Sequence, residues 1–68
     1  MKFKKPEARY LVQSAREILR WARRYEKTVR TKLSLREFES AQGFAKLVDN
    51  RRRDAADRMA LARQLEAM

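Results

Sequence analysis

The sequence predicts an all-α protein folded as an antiparallel helical hairpin. Three observations point there. Ala, Leu, Arg, Glu, Lys and Gln dominate, and these are strong helix formers. The few β-branched residues (Val12, Ile18, Thr28, Val29, Thr31, Val48) do not alternate with polar ones, so no strand period appears. One Gly and one Pro in 68 residues leave few places for turns.

The first helix is expected over about 6–31. Pro6 suits its first position, where the missing N–H would be unpaired anyway. Glu7 complements the positive end of the helix dipole, and Lys27, Arg30 and Lys32 the negative end. A seam runs Ala8, Leu11, Ala15, Ile18, Ala22, Tyr25, Val29, with spacings alternating between 3 and 4, a heptad pattern. A second helix is expected over about 35–67. Ser34 and Glu37 have capping-box spacing, and Leu33 with Phe38 would form a hydrophobic staple, so the connection is expected at Thr31 to Ser34. The second seam runs Ala41, Ala45, Val48, Arg52, Ala55, Met59, Ala62. Ala8, Ala15 and Ala22 recur every seven residues, as do Ala41, Val48, Ala55 and Ala62, which predicts a close approach of the two helices.

Two features of the second half leave alternatives. Gly43 and Asp49-Asn50 permit a three-helix bundle with a break near Asn50. The pairs Asp49–Arg53 and Asp54–Arg58, four residues apart with the acid first, favour one continuous helix. Arg52 on the seam is expected either to extend its head to water or to pair with a carboxylate such as Glu17. At helical rise the second helix is longer than the first, so its turns from about Ala60 should overhang.

Residues 1–68 read as a single helical domain with a short basic arm, 1–5. A chain this small has a marginal core. Apolar residues lie off both seams: Val12, Leu19 and Trp21 in the first helix, and Phe44, Leu47, Leu61, Leu65 and Met68 in the second. A two-helix layer cannot bury a second stripe. The expected remedy is a homodimeric four-helix bundle; the alternative is a larger acidic protein partner docked on Val12, Leu19, Trp21, Phe44, Leu47, Leu61 and Leu65.

The formal charge is +9 and its distribution is uneven. Residues 1–33 hold eleven Lys and Arg against three Glu; residues 34–68 hold seven against six acids. Arg9, Arg16, Arg20, Arg23, Lys27 and Arg30 occupy the two outermost heptad positions, opposite the apolar seam, with Gln13 filling the one gap. This rail is about 32 Å long at helical rise. Arg24 lies beside it, and Lys2, Lys4 and Lys5 extend the positive field along the arm. A one-sided cationic rail fits the phosphates of DNA or RNA, and Arg, twelve of the eighteen basic residues, binds phosphate as a planar fork. Arg51, Arg52 and Arg53 cannot share a helical face and sit among Asp49, Asp54 and Asp57, so they read mainly as a structural charge network. Trp21 and Tyr10 flank the rail, and Phe3 in the arm is the freest aromatic for base stacking.

Other classes find little support. There is no His or Cys to serve as base, nucleophile or zinc ligand, and no Gly-rich loop to cradle phosphate. No catalytic residue, metal, cofactor or small-molecule substrate is expected, and so small a chain should lack the walls of a cavity of about 300 Å³. A helix-turn-helix centred on Gly43 would put Glu39 where a small residue packs and Asp49 where an apolar anchor belongs. No apolar run is long enough for a membrane span or a secretory signal, so a cytoplasmic protein without a membrane partner is expected.

Overall fold

A computed structural model describes residues 3–68; Lys2 lies outside them. Two helices, α1 (Pro6–Ser34) and α2 (Phe38–Ala67), pack against each other as an antiparallel hairpin about 49 Å long. Pro6 stands at the start of α1, with Glu7 in the first turn and Lys32 in the last. The helix therefore begins where its sequence removes an unpaired donor and complements the dipole.

Both inner helix boundaries differ from expectation. α1 runs three residues further, through Ser34, and α2 starts only at Phe38. Ser34 thus has helical backbone and cannot cap the next helix. Glu37 precedes α2 instead and makes no side-chain cap bond. Leu33 and Phe38 remain 49% and 61% exposed rather than stapled. The chain turns by main-chain chemistry. The Glu37 N–H donates to the Lys32 carbonyl at 2.9 Å, and the Arg36 N–H to the Leu33 carbonyl at 3.0 Å. Arg36 has a φ of 59°. These bonds and the left-handed residue make a Schellman motif, which satisfies carbonyls that a helix end would leave open. The apolar contact that often closes this motif is replaced by an ion pair, Lys32 Nζ to Glu37 Oε2 at 3.2 Å.

α2 continues without interruption through Gly43 and Asn50, so the three-helix alternative is not adopted. Of the two expected acid–base pairs on α2, Asp54–Arg58 forms, at 3.1 Å, whereas Asp49–Arg53 does not.

The seam is built on the seven-residue repeats. Ala8, Ala15 and Ala22 are buried on α1; Ala41, Val48, Ala55 and Ala62 are buried on α2. Ala8 packs with Ala62. One heptad at a time, that register brings Ala15 level with Ala55, Ala22 with Val48, and Val29 with Ala41. Small side chains at every level of one stripe allow the two backbones to approach closely. The consequence for stability is unfavourable: no side chain larger than valine is buried among the described residues.

Two further expectations are corrected by this register. Val12, assigned above to the exposed stripe, is buried against Ala8 and Ala62. The C-terminal turns of α2 do not overhang, because α1 is longer and α2 shorter than expected. The two helices are 29 and 30 residues long, and Phe3 and Leu65 pack at their shared end.

Candidate nucleic-acid interface

The alanine seam divides the hairpin into two unlike faces. On one face, residues four after each seam position meet: Val12 and Glu26 of α1 lie beside Met59, Glu66 and Arg52 of α2. On the other, residues three after it meet: Ile18 and Tyr25 lie beside Arg58, Arg51 and Phe44.

The first face is cationic. Glu26 is its inner acid and is shared between Arg52 across the seam and Arg30 one turn on, the latter at 3.9 Å. Arg52 therefore pairs, and with Glu26 rather than Glu17. Arg16 borders one groove of this face and Arg30 another, so the rail runs along its edge. Arg9, Arg16, Arg20, Arg23, Arg24 and Lys27 are all exposed and, among the described residues, form no ion pair. α2 adds cations that sequence reasoning did not assign to the interface. Arg63 lines the same groove as Arg16, and Lys46 and Arg53 are exposed. The signal was available: aligning the two alanine repeats in antiparallel register places Arg63 beside the start of the rail.

The arm is pinned rather than free. The Glu66 carboxylate accepts from the Lys4 N–H at 2.8 Å and the Lys5 N–H at 3.0 Å. Lys4 stays exposed and Lys5 is partly buried. Phe3 folds back to pack beside Val12, Leu65 and Met59.

The second face is aromatic. The Trp21 and Tyr25 rings lie with centroids 4.0 Å apart at a tilt of 35°, and Tyr25 stacks on Phe44 at 5.5 Å. The Arg51 guanidinium lies 5.3 Å from the Trp21 ring centre and the Lys32 ammonium 5.9 Å from that of Phe44. Trp21 is thus committed to the hairpin rather than offered beside the rail, while Tyr10 is exposed. Arg58 bridges the helices, donating to Asp54 at 3.1 Å and to the Ser14 hydroxyl at 3.0 Å. Of the expected docking residues, Leu47 and Leu61 are exposed, Leu19, Trp21 and Phe44 are half-buried, and Leu65 packs at the helix ends.

The hairpin carries open surface grooves rather than enclosed cavities. Two of them, one on either side of the close seam, measure about 430 and 420 Å³. No cluster of three or more potential metal ligands occurs among the described residues. Among the described residues, no helix is long and apolar enough to cross a membrane. The sequence matches no family model, and no curated protein or solved structure is significantly similar to it.

Proposed function

We propose that this protein is a nucleic-acid-binding accessory protein, not an enzyme, that contacts phosphates through its cationic face. The observation that carries the reading is the rail: exposed guanidinium and ammonium groups along one side of α1, of which Arg30 alone faces an acid, Glu26 at 3.9 Å. A merely solvated face mixes both signs. Phosphate polymers are the partner that rewards such a row, through counterion release. A cytoplasmic location is part of the same proposal.

We further infer a homodimer in which the aromatic faces of two hairpins meet as a four-helix bundle. The chain exposes 5667 Å². A compact protein of 8.2 kDa exposes about 4,500 Å² by the usual mass scaling. The excess exceeds the roughly 800 Å² that each partner contributes to a standard interface. Leu47 and Leu61 are exposed beside the aromatic stack and would supply apolar area there. The same face supports a second reading, an adaptor docked on a larger acidic protein.

Binding of generic duplex DNA and RNA across a salt series tests the main reading. Affinity should fall steeply with salt. A flat response, or no binding, overturns it and leaves the adaptor reading to be tested by recovery of a protein partner.

A further inference from the structure

We propose that the groove at the end of the cationic face takes an unpaired nucleotide, making the ligand a single strand rather than a duplex. This inference rests on the nucleic-acid reading above and names its substrate class.

The groove is about 430 Å³, and its floor is formed by Phe3, Val12, Met59 and Ala62. Arg16 from α1 and Arg63 from α2 also line it. Its one acid, Glu66, has its two oxygens engaged by the Lys4 and Lys5 main-chain N–H groups, at 2.8 and 3.0 Å, so it is held toward the arm, and two cations stand in the groove against its one negative charge. The site therefore joins an apolar floor with an aromatic ring to two cations of like reach. A nucleotide has the matching halves: a flat apolar base and an anionic phosphate. Stacking on an aromatic side chain beside a basic track is how sequence-tolerant single-strand binding works.

A paired base cannot use this floor, because its faces are covered by its neighbours in the stack. An unpaired one can. Arg16 belongs to both the groove and the rail, so a strand leaving the groove meets Arg20 and Arg23 one and two turns further along α1. The groove supplies the step that the rail lacks, a preference for form over charge alone.

Binding of a fluorescent twelve-nucleotide oligothymidine and of its duplex with oligoadenosine, at matched salt, tests the proposal. The full chain is compared with Phe3→Leu and Arg63→Ala. Leucine keeps apolar packing at the arm while removing the ring, and Arg63 is exposed, so Arg63→Ala carries no folding penalty of note. The single strand should bind more tightly than the duplex. Phe3→Leu should weaken single-strand binding roughly fivefold, the scale of one lost stacking contact. Arg63→Ala should lower the single-strand salt slope by about 0.7, one phosphate. Phe3→Leu should leave duplex affinity unchanged, since a paired base does not reach the ring, whereas Arg63→Ala, a loss from the cationic face, should lower the duplex salt slope by no more than about 0.9, one phosphate. Equal binding of both forms, or a single-strand preference that survives both substitutions, overturns the groove while the rail reading stands. Failure of both forms to bind overturns the two together.

Discussion

Arg52 of α2 and Glu26 of α1 meet across the alanine seam, and Arg30 holds the other oxygen of the same carboxylate at 3.9 Å. A seam made of alanine specifies little about register, since one alanine level resembles the next. A slip of one heptad would keep small residues opposed but would carry Arg52 about 10 Å along the helix from Glu26. The pair thus marks the register that the small residues leave degenerate, a use of polar seam positions known from coiled coils. Both side chains are partly exposed, at 49% and 28%, so the pair contributes only about 0.2–1 kcal/mol. Glu26→Ala and Arg52→Ala should each lower urea-unfolding stability by that amount, the double mutant should cost less than their sum, and the exchanged pair E26R with R52E should recover part of the loss. Strict additivity would deny the coupling.

The hairpin turn and the middle of α2 each contain a residue that opposes its local backbone. Arg36 occupies a left-handed conformation, φ 59°, where glycine is usual. Gly43 lies inside a helix, and a Cβ placed on it would meet nothing within 4 Å. Arg36→Gly relieves the left-handed cost, and Gly43→Ala restores helix propensity; each should stabilise by about 0.5–1 kcal/mol. Thermal melts followed by circular dichroism would show the gain. A loss with Gly43→Ala would mean that the open space beside it is filled by a partner.

How these elements were read from sequence follows from the physics behind each signal. The alanine repeats were legible because a seven-residue period of small residues marks the face that each helix turns to the other. The turn was not, because capping-box spacing at Ser34 and Glu37 is a local side-chain signal, and it lost to main-chain bonds closed by Arg36, a residue with no left-handed preference to betray it. The rail was legible as a period. Arg63 was not assigned to it, and Phe3 was singled out for stacking only as a residue of a free arm, because their neighbourhood with Arg16 exists only once α2 returns antiparallel and the arm folds back. Val12 was misplaced for a related reason: in an alanine seam both flanking positions descend toward the core, and one of them reads as off-seam.

Close approach at the seam makes it intolerant of bulk. Ala15 has no exposed surface. Ala15→Leu must either force the helices apart or distort rotamers, which costs about 1–3 kcal/mol in packed sites. Leu61→Ala, at an exposed position, should by contrast be nearly neutral in the isolated hairpin. Comparison of the two by denaturant unfolding checks the seam directly: a neutral Ala15→Leu would show that the helices are not held at this distance.

The rail makes a quantitative claim about salt. Each neutralised duplex phosphate contributes about 0.9 to the slope of log affinity against log salt. Replacing Arg16, Arg20 and Arg23 together by alanine should therefore reduce that slope by about 2.7 while leaving helicity unchanged, since all three are exposed and outside the described ion pairs. The control is Arg36→Gly with Arg51→Ala, which removes two exposed cations away from the cationic face, one at the turn and one beside Trp21 on the aromatic face. If the control lowers the slope as much per charge as the rail variant does, the field of the whole molecule, rather than one face, attracts the polymer.

The dimer is tested by the exposed leucines of the aromatic face. An isolated hairpin whose buried residues are alanine and valine has little apolar burial to offset chain entropy, so a second copy covering Phe44, Leu47 and Leu61 would add substantially to its stability. If a second copy covers them, light scattering should report two 8.2-kDa chains, and the melting temperature should rise with concentration, as mass action requires of coupled folding and association. Leu47→Glu with Leu61→Glu puts two like charges per chain into that interface and should yield a monomer of much lower stability, because burying unpaired carboxylates is costly. Nucleic-acid affinity per chain should weaken with it only as far as folding is lost, since the cationic face lies on the other side of the seam. A concentration-independent melt of a clean monomer would exclude the four-helix bundle, and a stable monomer with those leucines intact would leave the face to a different protein.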